Sequence, residues 1–110
     1  MIEICNLRKQ KPIEPYDVKV DRSSILGNPF VMRSEMERDS VCDKYELYFK
    51  SKIKNKSESF MIEICNLLKT YEEYGKLRLF CWCYPKRCHA ETIKRYIENE
   101  VKWLYERIED

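Results

Sequence analysis

MIEICNL stands at residues 1–7 and again, letter for letter, at residues 61–67. Whether the two copies fold alike decides between a repeat protein and one layered domain. A repeat should stay similar beyond its first few residues, and here the flanks diverge. RKQKPIEPYD follows the first copy, where Pro12 and Pro15 block a helix; LKTYEEYGKL follows the second and runs without a breaker to Gly75. Around the second copy Phe60, Ile64, Leu67, Leu68, Tyr71 and Tyr74 recur at helical spacing. Around the first, only a period of two is available, with Ile2 and Ile4 on one face. One peptide is therefore expected in two folds: a strand at the start and a helix over residues 59–74.

The rest of the chain extends this pattern. YDVKV (residues 16–20) alternates and reads as a second short strand. In the loop DRSSILGNPF (residues 21–30), Gly27, Asn28 and Pro29 carry turn chemistry, the first two because they tolerate positive φ. Ser34-x-x-Glu37 resembles a capping box. A helix is expected from there or from Asp39, with Val41, Tyr45, Tyr48, Phe49 and Ile53 on its buried stripe. Residues 79–83, LFCWC, are apolar on both faces and suit an inner strand with helices on both sides. In the last segment Ile93, Ile97, Val101, Leu104 and Ile108 form a helical stripe with Trp103 near its edge. The order strand, strand, helix, helix, strand, helix implies an α/β fold. It is expected to be one domain over residues 1–110, with a small sheet of about three strands covered by three to four helices. The short link between the first two strands makes them antiparallel neighbours or not neighbours, since a parallel crossover takes a dozen or more residues.

Composition narrows the function classes. The chain is 44% hydrophobic with eight Tyr, which excludes disorder despite 36% charged residues, and two Gly disfavour a turn-rich all-β protein. A net charge of +2 gives little support for a nucleic-acid partner. No apolar run is long enough for a membrane span. No basic start followed by an apolar stretch marks a secretory signal, so the six Cys are expected as reduced thiols in a cytoplasm.

The densest chemical signal is CWCYPKRCHAETI, residues 81–93. Cys81 and Cys83, two apart on a strand, would point to one face. Cys88 and His89 would open the last helix beside Lys86 and Arg87, where a thiol pKa should fall and an anion would meet free backbone N–H groups. His89, biased towards neutral by the helix dipole, is the candidate general base, and Cys88 the candidate nucleophile or electrostatic helper. The same four residues, Cys81, Cys83, Cys88 and His89, are the ligand types of a zinc site, though the spacing is not that of a common zinc finger. Cys5, Cys42 and Cys65 read as packing residues. In the other loop Arg22, Ser23, Ser24 and Asn28 are able to bind phosphate or a nucleobase edge. Tyr45 reads as core.

N-L-R near the start, V-x-V-D-R-S-S-x-L-G-N-P-F, a helix with K-Y, and L-x-C-W-C-x-P-x-x-C-H together resemble domain of unknown function family 4326, small proteins of bacteria and phages. The resemblance spans residues 4–97. It implies a compact α/β fold with the two motif loops brought together. It carries over to Asn6, Arg8, Arg22, Ser24, Gly27, Asn28, Pro29, Phe30, Tyr45, Cys81, Cys83, Pro85, Cys88 and His89. This chain has Asp21 where family members show Gly, and a carboxylate there would repel an anion near the backbone. The resemblance implies no established activity; a phage or other viral origin, in nucleotide metabolism or host–virus conflict, is an association.

The leading expectation is a small cytoplasmic protein that binds a small anionic nucleotide-like ligand; whether it also processes that ligand is left open, and His89 and Cys88 are the candidates if it does. Its pocket would lie between residues 22–28 and 81–89, with Asn6, Arg8, Arg22, Ser24, Asn28, Cys81 and Cys83 as binding residues. No cofactor is expected. The alternative is a structural protein whose Cys/His cluster holds zinc or only packs, or one that meets a host protein through Lys94, Arg95, Trp103 and Tyr105.

Overall fold

The computed structural model describes the backbone of residues 1–109 and the side chains of residues 1–103. Leu104, Tyr105 and Ile108, assigned above to a buried stripe and a protein-binding face, lie outside the described side chains. Three strands, β1 (Ile2–Asn6), β2 (Asp17–Lys19) and β3 (Leu77–Cys81), form one parallel sheet in the order β1-β3-β2. Three α-helices, α1 (Arg38–Lys54), α2 (Glu58–Tyr74) and α3 (Ala90–Glu109), cover it, and a short 3-10 turn, Glu35–Glu37, leads into α1. The first two strands are not neighbours: β3 inserts between them.

The two copies of MIEICNL do adopt different structures. The first supplies β1, with Ile2 opposite Leu77 and Ile4 opposite Leu79. The second lies inside α2, where Phe60, Ile64 and Leu67 are buried and Asn66 is exposed. Gly75 ends α2 at φ 65°, and its N–H reaches the Tyr71 carbonyl at 2.7 Å. An added Cβ would meet nothing there, so the left-handed φ alone favours glycine.

Three expectations need correction. The Ser34 hydroxyl makes no cap bond, so the capping box does not form and α1 starts at Arg38. β3 ends at Cys81, so Cys83 lies in the following turn and does not share a strand face with it. The helices do not sandwich β3. Leu77, Leu79 and Cys81 join Tyr45, Phe49, Phe60, Ile64, Leu67, Ile93 and Ile97 in one buried cluster. By alternation, Arg78 and Phe80 face the other way. There the β1–β2 connection meets Arg78, which bonds Gln10 at 3.2 Å and packs over the Tyr16 and Phe80 rings.

Each fully buried Leu or Ile contributes roughly 1.5–3 kcal/mol, so the cluster supplies most of the stability. The polar contacts fix the register. Chief among these is the Arg78–Asp17 pair, with two bonds of 2.6 and 2.8 Å between β3 and β2. Asp17 Oδ2 also accepts the N–H groups of Ile13 and Glu14, which pins the crossover. Burial alone would raise the Asp17 pKa, but the bonds from Arg78, Glu14 and Ile13 outweigh it and hold it below its ordinary 3.8. A depressed carboxylate pKa gives stability that is present above the unfolded value and lost as pH falls through the folded one. Replacing Asp17 by Asn should cost about 1–3 kcal/mol in urea unfolding, because the amide cannot accept from Arg78, Ile13 and Glu14 as the carboxylate does and Arg78 loses its counter-charge. It should also flatten the loss of stability below pH 3.8 relative to wild type.

Candidate functional site

Parallel strands release their loops at one end, and the carboxyl ends of β2 and β3 are adjacent. The segment after β2 enters the loop of residues 21–30; the segment after β3 turns through residues 82–87 into α3. Two side-chain contacts tie these segments together, and a third ties the first loop to α1. His89 Nε2 contacts the Val20 carbonyl, Trp82 Nε1 donates to Asp21 Oδ2 at 3.0 Å, and the buried Tyr45 hydroxyl donates to the Leu26 carbonyl at 2.6 Å. Within the first loop Ser24 Oγ accepts from Leu26 and Asn28 Oδ1 accepts from Phe30. Gly27 has negative φ, contrary to expectation; its requirement is space. A Cβ there would lie 2.4 Å from the Asp21 carbonyl oxygen and 2.7 Å from the Arg22 Cα.

Between these loops and the start of α1 lies a cavity of about 410 Å³, to which Arg22, Asn28, Cys83, Cys88 and His89 all contribute. The expected residues outside it are Asn6, Arg8, Ser24 and Cys81. Ser24 serves its own turn, Cys81 sits beneath the wall, and Asn6 and Arg8 line a neighbouring cavity. The sequence reading gave no site role to Met32, Arg38, Val41, Trp82 or Arg87, and carried Phe30 over from the family pattern without a role. Trp82 carried a signal: once the strand ends at Cys81, the next residue is a large aromatic on an exposed turn, and its ring is half exposed.

The electrostatics differ from those the motif suggested. Lys86 and Arg87 do not lower the Cys88 pKa, because they turn to acids on other elements. Lys86 pairs with Glu35 at 3.3 Å, and Arg87 pairs with Asp39 and Asp43 at 3.0 and 2.8 Å. Cys88 instead faces Cys81, with the sulfurs 3.1 Å apart, and both are buried. The bond to Cys81, reinforced by burial, holds the Cys88 proton far above the ordinary thiol range. The same bond, helped by N–H groups of Cys83 and Tyr84, lowers the first proton loss on Cys81 against the opposing effect of burial. The pair thus releases one proton readily and keeps the second. The Cys88 backbone N–H, meanwhile, is capped by Glu91 at 3.0 Å. This occupies a donor that an incoming anion would need.

Burial lowers the His89 pKa, so the ring is neutral at pH 7. The Val20 carbonyl accepts only, so Nε2 carries the proton and Nδ1 keeps its lone pair. No buried side-chain nitrogen lacks a partner among the described residues, and Nδ1 makes no protein hydrogen bond, so it is open to the cavity that His89 lines. Asp21 is drawn off by Ser23 and Trp82, whose bonds hold it ionised below its usual range against the effect of burial. The four zinc-type residues do not converge. The two thiols face each other while the imidazole turns to Val20, and among the described residues no three His, Cys, Asp or Glu side chains are placed to hold a metal.

The chain belongs to the family described as domain of unknown function DUF4326, whose model matches residues 5–99. No curated protein and no solved structure matches it. Among the described residues no helix is long and apolar enough to cross a membrane.

Two outcomes test this geometry. Gly27→Ala should destabilise the protein by about 1–3 kcal/mol in urea unfolding, since backbone on both loop arms must move. In a thiol titration of the native protein, exposed Cys65 should react first and half-buried Cys83 next, while Cys5, Cys42, Cys81 and Cys88 should wait for denaturant.

Proposed function

We propose that the cavity is a binding site for a small nucleotide-like ligand, with its planar, polar part held between the two motif loops. The observation that carries this is the convergence of Arg22, Asn28 and His89 on one cavity that the aromatic and apolar side chains of Phe30, Met32, Val41 and Trp82 also line. Its volume of about 410 Å³ is within the range of small-molecule sites, which pair apolar walls with a few aimed polar groups. Those groups are complementary to a heterocycle edge. Asn28 has its oxygen engaged by Phe30 and its amide N–H groups left to donate, while His89 Nδ1 accepts. The half-exposed Trp82 ring offers a stacking face worth roughly 1–3 kcal/mol per base.

Binding is the better supported half of the reading. His89 Nδ1 is the base that any proton transfer in the cavity would use. Cys88 forms wall, since a buried thiol bonded to a second thiol has neither the access nor the ionisation a nucleophile needs. A cytoplasmic role and a phage or viral context belong to the same proposal. Its test is thermal unfolding against a panel of nucleosides, nucleotides and phosphosugars. One chemical class should raise stability by about 2.7 kcal/mol at a hundred times its Kd. Trp82→Ala and Asn28→Ala should each weaken that effect at unchanged fold. A flat response to the whole panel refutes the proposal.

A further inference from the structure

Charge is distributed unevenly around the cavity and its neighbour. The main cavity shows three guanidinium groups, Arg22, Arg38 and Arg87, but Asp21 lines it too, and Arg38 and Arg87 are bound to Glu35, Asp39 and Asp43. Arg22 makes no ion pair among the described residues, but its guanidinium donates to the Phe30 carbonyl at 3.2 Å and is thereby held to its own loop. Across the wall formed by Met32, Arg38, Trp82 and Cys83, all of which line both, lies a second cavity of about 380 Å³. Arg8, Lys9, Arg38 and Lys86 face it against the single carboxylate of Glu35. One oxygen of Glu35 serves both Arg38, at 2.8 Å, and Lys86, at 3.3 Å. Among the described residues Arg8 and Lys9 have no carboxylate within ion-pair distance.

These two cations stand on a fixed turn. The Asn6 oxygen accepts the Arg8 N–H at 2.7 Å, and the Asn6 carbonyl accepts those of Lys9 and Gln10 at 3.0 and 3.1 Å. The Asn6 amide in turn holds the Tyr84 carbonyl at 2.6 Å, which joins this turn to the far side of the cavity. A place with fixed, unmatched positive charge beside a shared aromatic wall is complementary to an anion belonging to a ligand whose ring lies next door.

We propose that the ligand's phosphate is held in this second cavity by Arg8 and Lys9, on the far side of Trp82 from the ring, and not by Arg22. The ligand class is then a nucleoside phosphate monoester that straddles Trp82, with its uncharged part in the main cavity. This rests on the reading of the main cavity given above and adds the position of the charge.

The test is calorimetric titration of nucleosides, their 5′-monophosphates and inorganic phosphate into wild type, Arg8→Ala/Lys9→Ala and Arg22→Ala. Arg8, Lys9 and Arg22 are exposed, so the variants should fold, as thermal melts will verify. In wild type a monophosphate should bind about tenfold or more tighter than its nucleoside, the equivalent of one charge-assisted contact. In Arg8→Ala/Lys9→Ala that advantage should vanish while nucleoside binding is unchanged. In Arg22→Ala nucleoside and monophosphate should weaken by the same factor, and inorganic phosphate should compete with the monophosphate in wild type only weakly. Survival of the phosphate advantage in Arg8→Ala/Lys9→Ala, or its loss in Arg22→Ala, overturns the proposal and leaves the main cavity's role intact. Failure of every nucleoside and monophosphate to bind overturns the reading of the main cavity itself.

Discussion

β3 is the only strand in the sheet with two partners, and everything near the cavity depends on its backbone. β1 and β2 each hydrogen-bond to β3 alone, in parallel, over short registers. A two-stranded arrangement of either pair would be marginal in water; β3 makes them one sheet. Because all three strands run the same way, their carboxyl ends gather on one side. The turn after β1, the loop after β2 and the turn after β3 therefore meet there without any further device. The ladder continues past the strand ends: the Leu7 N–H reaches the Cys81 carbonyl at 2.8 Å and the Val20 N–H reaches the Phe80 carbonyl at 3.0 Å. The last pairings of the sheet thus set the relative height of the loops that build the cavities.

The loops are then closed against each other by groups whose polar atoms have little alternative. Tyr45 is fully buried, and its hydroxyl satisfies the Leu26 carbonyl. Its ring also meets the His89 ring edge-on, with centroids 5.0 Å apart. Breaking the hydroxyl bond would strand a buried polar group at a cost of about 1–3 kcal/mol. The Val20 carbonyl fixes the tautomer of the imidazole and the Tyr45 ring packs against it, so the nitrogen left without a protein partner is an acceptor. A histidine left free to rotate would offer either a donor or an acceptor and would discriminate less between ligand edges.

The sequence made the fold largely legible. The two fates of MIEICNL followed from the proline residues after the first copy and the unbroken helical spacing around the second. Convergence of Arg22, Asn28, Cys88 and His89 was also expected from the order of elements and the family pattern. What sequence could not reveal were relations across distance. β3 lies between β1 and β2, and Asp17 bonds Arg78 across one of those pairings, a contact sixty-one positions apart. The Lys86-Arg87 pair looked like an activator of Cys88 because sequence neighbours are visible and Glu35, Asp39 and Asp43 are not. Ending β3 two residues early, at Cys81, changes the meaning of the whole CWC motif. It moves Cys83 and Trp82 onto a turn and leaves Cys81 to meet Cys88.

That last shift explains why a motif rich in thiols need not be a motif for thiol chemistry. At the junction of β3 with α3 the chain must bring a helix start hard against a strand end. Small side chains permit that approach, and two thiols facing each other fill the gap without an unsatisfied polar group, since each sulfur is a weak donor and a weak acceptor. A serine pair would need stronger partners, and a pair of larger apolar residues would push Ala90, which is fully buried, away from the sheet. The cysteines then act by placement. They hold the residue that follows, His89, where one nitrogen meets Val20 and the other meets the cavity, and any selectivity of the site is set there.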